Sequence, residues 1–180
     1  MPSRIGVGWL AAGVVGAALL AWLLAGEAPE PIDRGSLAPP FDLPLVGEPG
    51  SVSLASLHGK VVLLNFWATW CRPCEEELPA MERLHRALPG GDFRLIAISV
   101  DAEADPVLRF RDRLGLGFTL LIDADQRVAR SYQTFRFPET LLIGRDGVIL
   151  ERYVGQKEWD APVYVDRIRR LLEGTRDTNN

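Results

Sequence analysis

Asn65-Phe66-Trp67-Ala68-Thr69-Trp70-Cys71-Arg72-Pro73-Cys74-Glu75-Glu76-Glu77-Leu78-Pro79 contains both cysteines of the 180-residue chain. An apolar, β-favouring run over residues 61–67 leads straight into Cys-x-x-Cys, and an acidic, helix-favouring segment follows. That order predicts a strand, a sharp turn, and a helix with Cys71 at its N-terminus. Unpaired backbone N–H groups and the positive end of the helix dipole favour a thiolate there, and Arg72 adds a cation between the two sulfurs. Two thiols at this spacing can close a small disulfide and hand it on by thiol–disulfide exchange.

On the C-terminal side, Leu78, Met81, Leu84 and Leu88 form a core-facing helical stripe with Pro79 inside it. Pro89-Gly90-Gly91 is expected to end the helix. Residues 93–100 read as a second buried strand, so strand, helix and strand suggest a parallel right-handed crossover. Asp105 and Pro106 are expected to start a helix reaching about Leu114. A strand over 118–122 and a short helix over 127–132 follow, with Asp123 and Asp125 as its caps. Residues 140–143 and 148–153 form a hairpin across Gly144-Arg145-Asp146-Gly147. A last helix starts at Asp160 and Pro162, with Tyr164, Ile168, Leu171 and Leu172 on its apolar face. On the N-terminal side, residues 61–64 are continuously apolar, as in a strand buried on both faces. Short strands at 41–43 and 52–54 flank the Gly47-Glu48-Pro49-Gly50 turn.

Phe66-Trp67-Ala68-Thr69-Trp70-Cys71-Arg72-Pro73-Cys74 resembles the active-site segment of the thioredoxin superfamily, and most closely its membrane-anchored ResA/TlpA/CcmG-type branch. Pro79 matches the helix-kinking proline of thioredoxins, and Phe137-Pro138-Glu139-Thr140 resembles the cis-proline loop that faces the cysteines. The resemblance runs from about Phe41 to Leu172. It implies an α/β thioredoxin-like fold, a central mixed sheet flanked by helices, with the N-terminal β-hairpin and the strand–helix insertion of the ResA/TlpA branch. It further implies that Cys71 is the exposed nucleophile and that Cys74 resolves the mixed disulfide. Thioredoxin carries a buried Asp just before Phe-Trp; Asn65 stands there in this chain. ResA-like proteins place a Glu three residues after the second cysteine, and Glu77 occupies that position. A buried Glu77 with a raised pKa would move the proton of Cys74; the plainer reading is a solvated acidic first turn. A cis Phe137–Pro138 bond is expected to present backbone to an extended substrate peptide. Phe137 and Glu139 would flank that contact, Trp70 would offer a flat apolar face, and Arg72 and Pro73 would lie beside it. Trp67 is expected to pack beneath the dithiol.

Residues 5–26 carry no charge over 22 positions, long enough to cross a hydrocarbon core of roughly 30 Å as a helix. Arg4 precedes the run and Glu27, Glu30 and Asp33 follow it, which orients residues 1–4 to the cytoplasm and the rest outside. A cleaved signal peptide is the competing reading, with Ala25-Gly26-Glu27-Ala28 as the weak cleavage site. Residues 27–40, with four prolines, read as an extended linker to a domain over 41–173, and 174–180 as a loose tail. Export places the dithiol of a bacterial protein in an oxidising, periplasmic compartment. Its reduced form would need electrons from a transmembrane donor of the DsbD or CcdA type.

The net charge of -4 gives no case for a nucleic-acid partner. Zinc needs about four ligands, and His58 and His85 are the only histidines, each standing alone. No cofactor beyond the Cys71–Cys74 disulfide is therefore expected. The expected activity is that of a protein-disulfide reductase. Its targets would be apocytochrome c haem-attachment cysteines or oxidase copper-site cysteines. A periplasmic thiol oxidase is the same-chemistry alternative. A copper chaperone is disfavoured because no His follows His85. A peroxiredoxin-type peroxidase is disfavoured because its Pro-x-x-x-Thr/Ser-x-x-Cys pattern meets Leu64 and Ala68.

Overall fold

The computed structural model describes residues 31–88 and 90–174. Residues 1–30, which hold the expected anchor and the first four positions of the expected linker, Pro89 and the last six positions lie outside the described residues. Strands β1 (Asp42–Pro44) and β2 (Ser51–Ser53) form an antiparallel hairpin. The main sheet contains β3 (Val61–Trp67), β4 (Phe93–Ser99), β5 (Thr119–Ile122), β6 (Glu139–Ile143) and β7 (Ile149–Val154), in the order β5-β4-β3-β6-β7. β3, β4 and β5 run parallel, while β6 and β7 add antiparallel strands on the other side of β3. The helices are α1 (Arg72–Ala87), α2 (Ala104–Leu114), the short α3 (Arg127–Ser131) and α4 (Pro162–Glu173).

β3 is central and buried along its whole length. Its alternate residues divide the core. Leu63 lies among Tyr164 and Ile168 of α4, and Trp67 meets Phe110 of α2 with ring centroids 5.1 Å apart. On the opposite face Phe66 meets Tyr132, just after α3, at 5.2 Å. The expected stripe of α1 is in the core: Leu78, Met81, Leu84 and Leu88 are all buried. A continuous apolar strand buried on both faces is what parallel pairing beneath helices requires.

Both sheet edges are covered. Leu45 bridges to Leu121, and the Val46 N–H donates to Leu120 O at 3.0 Å, placing the hairpin on β5. At the other edge Leu37 bridges to Val148, and Gly35 N–H donates to Ile149 O at 2.8 Å. Residues 32–40 are thus bound to the domain rather than free as linker, and the compact unit begins at Ile32. Their backbone groups satisfy an edge that would otherwise stay open for pairing.

Two caps differ from expectation. α2 begins one residue before Asp105, so that carboxylate lies inside the first turn and Glu103 takes the cap position. α4 is capped by Ala161 with Pro162 at its start. The Asp160 carboxylate instead accepts from Arg83 Nε at 2.6 Å and ties α4 to α1. Asp123 does serve α3: its two oxygens accept from Val128 N at 3.2 Å and Ala129 N at 2.8 Å.

Candidate active site

Cys71 occupies the N-cap of α1, separated from the end of β3 by three residues, and is joined to Cys74 in a disulfide with Cα atoms 5.3 Å apart. The Cys74 N–H points at Cys71 Sγ, 3.3 Å away. That is the geometry in which a helix start stabilises a sulfur anion. Cys71 keeps 6% of its surface exposed and Cys74 none. An incoming thiolate or disulfide can therefore reach only the first sulfur.

The turn ahead of Cys71 is clamped by a residue that sequence reading passed over. Asp101, just beyond β4, accepts from the Thr69 N–H at 2.9 Å and from Thr69 Oγ1 at 2.7 Å. Ser99 Oγ donates to the same carboxylate at 2.6 Å. Because β3 and β4 are parallel neighbours, their C-terminal ends lie side by side and the clamp spans them.

Three consecutive glutamates have three environments. Glu75 pairs with Arg113 at 2.6 Å, and Glu76 pairs with Arg72 at 3.2 Å one turn away. Glu77 faces inward and is only 1% exposed. One turn after Cys74, it lies on the same side of α1. Glu77 Oε1 accepts the Lys157 N–H at 3.1 Å and a short bond from Trp159 Nε1. Burial pushes its pKa up to about 7, against the opposing influence of the Trp159 and Lys157 donors, the Lys157 charge and Asn65. A carboxyl so tuned can take or give a proton near neutrality. Nothing in the run Gly155-Gln156-Lys157-Glu158-Trp159 marks it as active-site material, because its role exists only once it has folded over α1.

The Phe137–Pro138 peptide bond is cis. Trp70, 65% exposed, meets the Phe137 ring edge-on at 5.9 Å, which brings the proline loop against the segment that carries Cys71. Phe135, 72% exposed, extends the apolar surface of that loop. Trp67 lies buried, and the Arg72 side chain is open to solvent. Glu139 departs from expectation. Its carboxylate is buried and ion-paired with Arg152 at 2.5 Å, so its side chain faces the core rather than a bound peptide. Arg152 also donates to Ile32 O at 2.5 Å and Tyr132 O at 3.1 Å, making it the internal brace of the proline loop. A largely buried guanidinium with many acceptors holds several backbone segments at once.

Among the described residues no group of three or more His, Cys, Asp or Glu is arranged to hold a metal ion. Leu64 and Ala68, where a peroxidatic cysteine motif would need Pro and Thr or Ser, are fully buried apolar residues.

The chain matches the AhpC/TSA family over residues 35–152. It is 34% identical over 145 residues to the thiol-disulfide oxidoreductase ResA of Bacillus thuringiensis (strain Al Hakam), covering 81% of this chain and 82% of that one. The thioredoxin-like protein YneN of Bacillus subtilis (strain 168) is 37% identical over 142 residues, covering 75% and 81%. Among solved structures, a Chlorobium tepidum chain described as a putative thiol:disulfide interchange protein DsbE superposes with a TM-score of 0.68 at 29% identity. That superposition covers 79% of this chain and 97% of the other. With its clamped Cys-x-x-Cys, cis-proline loop and mixed sheet, this chain belongs to the AhpC/TSA family, within its thioredoxin-like, ResA-related branch.

Proposed function

We propose that this thiol–disulfide oxidoreductase works as a protein-disulfide reductase outside the cytoplasmic membrane, held there by residues 5–26. The observation that carries the reading is the pairing of a reachable Cys71 with a buried Cys74 that has a protonatable Glu77 one turn away. In the reduced enzyme the Cys71 thiolate attacks a target disulfide, forming a mixed disulfide and releasing one target sulfur as thiolate. Cys74 then attacks Cys71 Sγ, its proton passing to the Glu77 carboxylate. The second target sulfur leaves, and the Cys71–Cys74 bond closes. Two electrons have moved from the dithiol to the target, and Glu77 later gives its proton to solvent or to a departing thiolate. A resolving thiol sealed from water needs such an acceptor, because a buried thiol is otherwise held protonated.

Apocytochrome c haem-attachment cysteines and oxidase copper-site cysteines are the proposed targets, supported by similarity to ResA-type relatives. A transmembrane donor of the DsbD or CcdA type would restore the dithiol. The exposed Trp70 beside Cys71, and the exposed Phe135 on the loop before the cis proline, suit an unfolded apolar segment around a target cysteine.

The test is the reduction potential of the Cys71–Cys74 pair in the full chain, equilibrated in glutathione or dithiothreitol buffers. A value near that of thioredoxin, roughly -270 mV, is expected. One near that of DsbA, roughly -120 mV, would make the protein an oxidant and overturn the reading.

A further inference from the structure

The ends of β3 and β4 are already joined by the sheet: Trp67 pairs with Ser99, and the Val100 N–H donates to Trp67 O at 3.0 Å. The Asp101 clamp reaches two residues farther, to Thr69, and takes both of that residue's donors, the backbone N–H and the hydroxyl. Ser99 Oγ supplies a third donor and in turn accepts the Asp101 N–H at 3.1 Å. A buried carboxylate is costly unless donors converge on it. The three donors here are neutral, and two of them come from a single residue of a single turn.

That turn runs from Ala68 to Cys71 and is closed by the Cys71 N–H, which donates to Ala68 O at 3.2 Å. Its two sides are held differently. Cys71 is fixed by α1, where the N–H groups of Cys74 and Glu75 donate to Cys71 O at 3.0 and 3.2 Å and the disulfide ties its sulfur to Cys74. Thr69 is fixed by Asp101. Trp70 stands between these two anchors with its indole out in solvent, edge-on to Phe137. Burial contributes little to holding so exposed a side chain, so its direction is set by the backbone beneath it.

We infer that Asp101 and Thr69 are positioning residues for target recognition: they hold the turn that carries Trp70, so that the indole meets the apolar segment around a target cysteine already oriented. The inference rests on the reading of Trp70 as a target contact proposed above. Holding a contact residue in its bound direction before the partner arrives lowers the ordering cost of association. The position uses a hydroxyl donor as well as a backbone N–H, which Ser retains and Val lacks. Cys71, tied to α1, keeps its geometry without the clamp. Attack on a disulfide too small to reach Trp70 is therefore independent of it.

The test is single-turnover oxidation of the reduced full chain in detergent, with two substrates at increasing concentration. One is hydroxyethyl disulfide; the other is a disulfide-bonded peptide with Leu and Phe beside its cysteines. In T69V the half-saturating peptide concentration should rise about fivefold, as for loss of one hydrogen bond, with the limiting rate unchanged. D101N, which turns an amide N–H toward the Thr69 donors, should raise it about tenfold. Both variants should react with hydroxyethyl disulfide at the parent rate. T69S should restore peptide half-saturation, a recovery that depends on the hydroxyl and not on side-chain volume. In a W70A background T69V should add nothing further. Equal slowing of T69V toward both disulfides would place the action of the clamp on Cys71 and overturn the inference. An unmoved half-saturation in T69V, beside a raised one in W70A, would overturn the inference alone. An unmoved half-saturation in W70A would remove Trp70 from target contact and take the inference with it.

Discussion

Cys71, Cys74 and Glu77 fall within seven positions of one another, yet each has a different relation to solvent. The helix N-cap leaves Cys71 at the surface, one turn inward seals Cys74, and another turns Glu77 into the core. Cys74→Ser should therefore accumulate covalent mixed disulfides through Cys71, seen as adducts on non-reducing gels with an oxidised protein substrate. If Cys71→Ser trapped them instead, the assignment of the nucleophile would be wrong. Glu77→Gln keeps the acceptor for Trp159 but cannot take a proton. With the wild-type carboxyl titrating at about 7, the rate of disulfide reduction should change with pH through neutrality in a way that E77Q lacks. Superimposable pH–rate profiles for the two proteins would remove Glu77 from the proton path. Glu139 shows the limit of reasoning from a single position. It neighbours the cis proline in sequence, yet its carboxylate turns into the core toward Arg152.

At the scale of elements, the site is a meeting of three segment ends. The C-terminal end of β3 and the start of α1 supply the cysteines, the end of β4 supplies the Asp101 clamp, and the loop before β6 supplies the proline face. Asp101→Asn removes the charge that three donors share. The Thr69 amide should then exchange with deuterium at least about tenfold faster, since hydrogen bonds to a charged group contribute about 1.5–3 kcal/mol. An unchanged exchange rate would mean that the turn is held by other contacts. Arg152→Ala leaves the Glu139 carboxylate buried without its cation and frees the carbonyls of Ile32 and Tyr132. Breaking a buried pair from one side costs about 3–5 kcal/mol. Denaturant unfolding should show a loss of that order, whereas a loss within measurement error would refute the bracing role.

For the whole molecule, Glu77 makes stability depend on pH in an unusual direction for a carboxylate. Its folded pKa, about 7, lies above the unfolded value of 4.5, so the native state binds more protons between those limits. Stability from this group is therefore full below about pH 4.5 and is lost as pH rises through about 7, by roughly 3 kcal/mol in total. Thermal unfolding across this range should show wild type losing stability relative to E77Q as pH rises from about 4.5 to about 7. Parallel curves would show that the carboxyl is not titrating inside the fold.

Much of this was legible in the linear chain because it depends on local chemistry. The continuous apolar run of β3, the Cys-x-x-Cys spacing, the i, i+3 stripe of α1 and the Gly-rich turn before β7 each state their structure within a dozen residues. Side-chain periodicity and cap chemistry act at that range. The structure alone shows what long-range contact creates. Residues 32–40 carry two of the four prolines of the expected linker, and only the open edge of β7 shows why they are bound. Asp101, Arg152 and Trp159 have no local signature, because their partners lie 32, 13 and 82 positions away. Glu77 was identified by its distance from Cys74, but its raised pKa belongs to the desolvation that the folded loop over 155–160 imposes. Sequence set which groups could carry the redox chemistry; burial and convergence of distant segments decided which of them are reachable, which are charged, and where the proton rests.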